Sequence, residues 1–209
     1  MPDPCPDSEE TVRLLDRIQG GDSEAIGELL ARHRDEVRFF IDLHLDRNLR
    51  SRVDPSDAAQ DTLARATARL PDFLERRPMP FRLWIRKEAR QRVFNLRRYH
   101  EADCRDVRLE VAVPDSSSVA LANRFVSGGP TPGEAVEARE RAALLAQAIE
   151  SLKDDDREVL LLRYVEELPH AEIACLLGIS HDAARQRYGR ALNELSEKVA
   201  ALGVTGGLT

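Results

Sequence analysis

No apolar run in the 209-residue chain approaches the roughly 20 residues that cross a membrane, so no membrane segment is predicted. Cysteine is scarce: Cys5, Cys104 and Cys175 are odd in number and far apart, and no C-x-x-C pair is present for zinc or redox chemistry. They read as reduced thiols. His33, His44, His100, His170 and His181 are scattered without metal-ligand spacing, so neither a metal nor another cofactor is predicted. No segment alternates as a strand would with strength comparable to the helical patterns, and no internal repeat is found. The opening MPDPCPDSEE is acidic and rich in proline, unlike a signal peptide, and a cytoplasmic location is expected.

What is present is charge, unevenly spread. The net charge of −6 argues against an indiscriminate nucleic-acid binder, and 42% hydrophobic residues suffice for cores of ordinary size. Residues 1–75 hold 10 basic and 17 acidic side chains, whereas 76–108 hold 11 basic and 4 acidic. That local field attracts phosphate despite the acidic whole.

The stretch LPHAEIACLLGISHDAARQRYGRALNEL, Leu168 to Leu195, carries two helical patterns. Ile173, Ala174, Leu176 and Leu177 stop at Gly178, and Ala184, Tyr188, Ala191, Leu192 and Leu195 resume at the spacing of one buried helix face. Gly178 suits the left-handed end of a helix and Ser180 the N-cap of the next. Gly-Ile-Ser therefore reads as the corner of a helix-turn-helix.

In that motif the second helix enters the major groove with its N-terminal residues at the base edges. With Ala184, Tyr188 and Ala191 inward, the outer face holds Asp182, Arg185, Gln186, Gly189 and Arg190, with Arg187 at the flank. Arg and Gln can read guanine and adenine edges bidentately. The alternative is an αα-hairpin whose polar face is merely solvated.

Upstream, Val12, Leu15 and Ile18 predict a helix over 9–19, and Asp22-Ser23 a second helix reaching about Leu45. In VDPSDAAQDTLARATARLPDF, Asp54 is a natural N-cap, Pro55 fits the first helical position, and the helix is expected to end before Pro71. Asp57, Gln60, Asp61 and Arg65 form a polar stripe beside Ala59, Leu63, Ala66 and Leu70. FRLWIRKEARQRVFNLRRYH combines Trp84, Ile85, Ala89, Val93 and Leu96 with a dense arginine surface, as a backbone-tracking nucleic-acid surface requires. Trp84 itself reads more readily as core than as a stacking platform.

From Glu101 to Gly133 the periodicity fades and Pro, Ser and Gly mark a linker, with room for a short helix over 119–125. Structure resumes at TPGE, where Thr131 and Glu134 have capping-box spacing, and that helix is expected to reach about Leu152. Asp154 or Asp155 then caps another. The fold is expected to be all-α: a domain over 1–100, a flexible linker over 101–133, and a four-helix domain with the helix-turn-helix over 134–209.

In this order, three stretches carry a resemblance. DPSDAAQDTLARA resembles the polymerase-binding helix, FRLWIRKEARQRVFNLRR the promoter-melting helix, and LKDDDREVLLLRYVEELPHAEIACLLGISHDAARQRYGRAL the promoter-reading domain of bacterial RNA polymerase sigma factors of the extracytoplasmic-function group. The resemblance implies an alternative sigma factor, not an enzyme, that binds core RNA polymerase and directs promoter-specific initiation. Asp57, Gln60 and Asp61 would contact the coiled coil of the β′ subunit. Arg76, Arg77, Arg82, Arg86, Arg90, Arg97 and Arg98 would bind the minus-10 element. His181, Arg185, Gln186, Arg187, Gly189 and Arg190 would face the minus-35 element. An anti-sigma factor is a further partner that the resemblance allows.

The chain departs from the family pattern at Asp61, where Glu is common, at Pro169, where a capping Ser is usual, and at Ala183-Ala184, where Thr-Val is usual. Gly189, with no side chain, is a poor base reader. These departures bear on the promoter sequence rather than the class. Two other classes compete. A two-domain regulator with a ligand-sensing N-terminal half would explain the helix-turn-helix but not the arginine-rich helix. A nuclease or recombinase could use Asp57 and Asp61 as metal ligands, but no further carboxylate or nucleophile is placed beside them.

Overall fold

The computed structural model describes residues 4–103, 114–126 and 135–202, and among these every regular element is a helix. The described residues form two compact units, one within 4–103 and the other within 114–126 and 135–202.

In the first unit, α1 (Glu9–Gln19) starts at Ser8, whose hydroxyl accepts from the Thr11 N–H at 3.3 Å. Its buried face is Thr11, Leu14 and Leu15, so Val12, expected inside, lies exposed instead. A Gly20-Gly21 turn leads to α2 (Glu24–His44). Asp22 rather than Ser23 caps α2: its Oδ1 accepts from the N–H groups of Glu24 at 3.0 Å and Ala25 at 3.3 Å. The short α3 (Arg47–Arg50) follows, capped by Asp46.

α4 (Pro55–Arg76) begins at the Asp54 cap, whose carboxylate accepts from Ser56 N–H at 2.6 Å. It does not stop before Pro71, as expected, but runs through it. An interior proline costs about 3 kcal/mol. Leu70 and Phe73 on either side are buried, each contributing about 1.5–3 kcal/mol, which is enough to carry the helix past the break. Phe73 holds the continuation in place, its ring 5.5 Å from Phe81 and 4.7 Å from Trp84.

Trp84 is only 7% exposed and is a core residue. α5 (Phe81–Asp103) completes the unit by packing against α2 and α4. Pro80 cannot cap it with a side chain. Asp7, far away in sequence, does so by accepting from Phe81 N–H at 2.6 Å and Arg82 N–H at 3.0 Å.

The second unit contains α6 (Ser116–Val126), α7 (Ala135–Glu150), α8 (Asp154–Tyr164), α9 (His170–Leu177) and α10 (His181–Ala201). Within the segment read as linker, α6 packs against α7 and α8, burying Leu121 and Ala122, and so joins the four expected helices of this unit. Glu150 holds it there, accepting from Ser118 Oγ at 2.6 Å and Asp115 N–H at 3.1 Å. The Thr131–Glu134 capping box lies outside the described residues, as does Cys104. Lys153, not an aspartate, occupies the N-cap of α8, and Asp154, Asp155 and Asp156 fill its first turn, where they oppose the helix dipole.

Candidate nucleic-acid interface

The helix-turn-helix corner is built by two local devices. Gly178 adopts φ 68°, the left-handed conformation that closes α9, and Ile179 N–H returns to the Ala174 carbonyl at 3.0 Å. Ser180 then opens α10, its hydroxyl accepting from Ala183 N–H at 3.1 Å. Pro169 precedes α9 with no side-chain cap. Ala184, Ala191 and Leu195 are fully buried and orient α10, packing it on α8 and α7. Tyr188 is only half-buried, and its hydroxyl pairs with that of Tyr164 at 2.9 Å. Burial and this bond push the Tyr164 hydroxyl up to about 12.

The six residues expected at the minus-35 element separate by what they touch. Among the described residues, Arg185 and Gln186 are exposed and carry no hydrogen bond or ion pair. Arg187 is half-buried, 3.5 Å from Asp155. Arg190 lies 2.8 Å from the buried Asp156, whose hydrogen bond and charge raise the guanidinium further above its ordinary range. Gly189 has nothing within 4 Å of the position a Cβ would take. His181 is half-buried beside Asp182 at 3.8 Å.

The seven arginines expected at the minus-10 element separate in the same way. Arg77 caps α4 with φ 36° and reaches Asp16 at 3.2 Å and Gln19 at 2.9 Å. Arg82 donates to the Cys5 carbonyl at 2.9 Å, and Arg97 to the His44 carbonyl at 2.8 Å. Arg86 and Arg90 are half-buried and engaged. Arg86 also acts on Glu36, which lies below the usual carboxylate range chiefly through its hydrogen bond with His33. Arg76 and Arg98 remain exposed and unengaged among the described residues.

The sequence reading passed over Lys87, Phe94 and Tyr99. All three stand out in solvent on α5, Phe94 56% and Tyr99 68% exposed. The signal was the register of Ala89, Val93 and Leu96, which leaves Phe94 on the outer flank.

Asp57, Gln60 and Asp61 are exposed along α4, as the stripe requires. Asp61 is not free, for Arg92 donates to its Oδ2 at 2.6 Å. No group of three or more potential metal ligands gathers among the described residues.

Residues 142–195, which contain α8, α9 and most of α10, match the protein family described as sigma-70, region 4. Over 193 residues the chain is 29% identical to the RNA polymerase sigma factor CnrH of Cupriavidus metallidurans, covering 90% of this chain and 94% of the relative. It is 27% identical over 196 residues to the ECF RNA polymerase sigma-E factor of Escherichia coli, covering 90% and 94%. The ECF RNA polymerase sigma factor SigW of Bacillus subtilis is 23% identical over 195 residues, covering 91% and 97%. A solved structure of CnrH in complex with the cytosolic domain of CnrY superposes with a TM-score of 0.57 at 23% identity, covering 95% of this chain and all of that one, a likeness of fold.

Proposed function

We propose that this chain, an alternative RNA polymerase sigma factor of the extracytoplasmic-function group, divides its work between two helical units. The first docks on the β′ coiled coil of core polymerase through Asp57, Gln60 and Asp61 of α4. It takes the minus-10 element along the segment from the end of α4 through α5, where Arg76 and Arg98 are exposed and unengaged among the described residues and Arg77, Arg82, Arg86, Arg90 and Arg97 supply the surrounding positive field. The second reads the minus-35 element with α10.

The observation that carries this reading is the corner Gly178–Ser180, which presents Arg185 and Gln186 unengaged in the first two turns of α10. That is where a major-groove helix needs free bidentate side chains. Arg187, His181 and Gly189 flank them on α10, and Arg190 contributes through its pairing with Asp156 of α8.

No helix among the described residues is long and apolar enough to cross a membrane. The site of action is the cytoplasm, where the polymerase and promoter are. An anti-sigma protein is a fitting further partner, since a neighbour of the same fold was solved with the cytosolic domain of CnrY bound.

Gel filtration with purified core polymerase, followed by binding to a promoter duplex, tests the reading. The chain alone should hold duplex weakly, because its acidic remainder opposes phosphate, and should gain promoter binding on joining the core enzyme. Tight, sequence-specific binding by the chain alone, with no association to the core, would favour an autonomous regulator.

A further inference from the structure

We infer that α1 and the residues just before it brace the crossing from α4 to α5, and that Asp7, Asp16 and Gln19 are positioning residues for the minus-10 element. The inference rests on the assignment of Arg76 to Arg98 to that element. It adds the groups, remote in sequence, that decide where the crossing stands.

The crossing has little of its own to hold it. Of residues 77–80, Pro78 and Pro80 have no N–H to give, so the backbone there offers few bonds from within. Arg77 enters at φ 36°, a left-handed conformation that residues other than glycine seldom adopt. Such a conformation persists only where the surroundings enforce it.

α1 supplies that enforcement at both ends of the crossing. Near the end of α1, Asp16 accepts from the Arg77 guanidinium at 3.2 Å and Gln19 Oε1 accepts from it at 2.9 Å, while the Gln19 amide donates to the Leu74 carbonyl at 3.4 Å. Just before α1 begins, Asp7 accepts from Phe81 N–H at 2.6 Å and Arg82 N–H at 3.0 Å, and the Cys5 carbonyl accepts from the Arg82 guanidinium at 2.9 Å. Those two N–H groups are among the first donors of α5, which Pro80 leaves without a side-chain cap. The Phe81 ring also lies edge-on to the buried His33 at 5.1 Å, and His33 Nε2 is 3.4 Å from the Thr11 hydroxyl of α1.

Asp16 and Gln19 are exposed, and each alone holds Arg77 weakly. Their effect comes from sharing one helix with the Asp7 end, so that a single rigid element fixes where α4 stops and where α5 starts. Arg76 lies on one side of this turn and the cations of α5 on the other, so a shift of the turn changes their spacing. Residues that touch neither base nor phosphate then influence which minus-10 sequence opens.

The test uses the full chain on core polymerase: wild type, Asp7→Ala, and Asp16→Ala combined with Gln19→Ala. Strand opening is followed with 2-aminopurine placed in the minus-10 element. Selection is read from two run-off libraries, one randomised at the minus-10 and one at the minus-35 element. Asp7→Ala should open the preferred promoter about fivefold more slowly, the rate equivalent of one lost helix cap. It should relax selection in the minus-10 library and leave the minus-35 library and core affinity unchanged. Asp7→Asn, which keeps one acceptor oxygen, should fall between wild type and Asp7→Ala. The double variant leaves the α5 cap intact and should relax minus-10 selection in the same direction, which keeps the test decisive if Asp7→Ala does not fold.

Wild-type opening and minus-10 selection by the folded variants would overturn the brace while leaving the sigma-factor reading intact. Equal losses in both libraries, together with a lowered melting temperature, would also overturn it, by assigning these contacts to folding alone. Absence of any transcript from the wild-type holoenzyme would strike the sigma-factor reading, and the brace with it.

Discussion

The guanidinium of Arg190 lies 2.8 Å from the carboxylate of Asp156, linking α10 to the first turn of α8. Asp156 is 1% exposed, whereas the Arg190 side chain is 61% exposed. Removing the cation leaves a buried carboxylate without compensation, a change that costs about 3–5 kcal/mol where both partners are buried. Because Arg190 stands largely in water, Arg190→Ala should lower the stability of the second unit by less than the loss of a fully buried pair would. Urea denaturation should show this loss, Asp156→Asn should recover part of it, and transcription should fall alike at every promoter. Unchanged stability with relaxed selection at one base position would return Arg190 to the base readers.

The proposed polymerase surface is best probed at Asp57 and Gln60, which are exposed and make no hydrogen bond or ion pair through their side chains among the described residues. Asp57→Arg with Gln60→Ala should weaken core binding by about 1–4 kcal/mol, the usual effect of losing central interface contacts, with the melting temperature unchanged. Asp61→Arg is the less clean probe, since it also sets a like charge against Arg92. Equal retention of wild type and the double variant on immobilised core enzyme would leave the stripe a solvated face.

The arginine pair at the end of α5 should divide by phenotype. Arg98→Ala should impair strand opening at low salt and lower the salt slope by about 0.9, because an exposed cation on this face acts on phosphate. Arg97→Ala should instead loosen the first unit, since Arg97 anchors the end of α2 through the His44 carbonyl and lies 3.7 Å from Asp46. Permanganate footprinting with thermal melts separates the two, and normal opening by Arg98→Ala would remove it from the minus-10 surface.

Glu150 makes the docking of α6 acid-sensitive. Burial pushes its carboxyl up, but bonds from Ser118, the Arg157 charge and the Asp115 N–H outweigh this and bring it below the ordinary glutamate value. A carboxylate depressed in the folded state stabilises above its unfolded value and loses that contribution as pH falls through the folded one. Stability of the second unit should therefore fall as pH drops below about 4.5, the ordinary glutamate value. Glu150→Gln should flatten that part of the profile, as followed by amide exchange over 116–126. An unchanged profile would mean that α6 is held by Leu121 and Ala122 alone.

Much of the second unit was legible because its signals are local. Gly178 and Ser180 mark the corner within three residues, and the spacing from Ala184 to Leu195 gives the buried face of α10 directly. What escaped the sequence is non-local or offset by packing. Asp7 caps α5 across 74 positions, which no local pattern records. Pro71 signals a helix end, and only the burial of Phe73 beside Phe81 and Trp84 explains why α4 continues. The serine-rich start of α6 reads as linker because its apolar face is short, and the contact that fixes it comes from Glu150, 32 residues from Ser118. At the interface, residue type alone put Arg190 beside Arg185. The buried Asp156 on another helix separates them.

Run-off transcription with purified core polymerase on a randomised promoter library, using wild type, Arg185→Ala and Gln186→Ala, tests the central claim most directly. The wild-type holoenzyme should yield transcripts enriched in one upstream and one downstream element. Each alanine variant should lose about 1–3 kcal/mol on the preferred promoter and relax selection at a single upstream position. No transcript above core enzyme alone would contradict the account of this chain as a sigma factor. Transcription with no upstream position relaxed by either variant would contradict the assignment of base reading to Arg185 and Gln186.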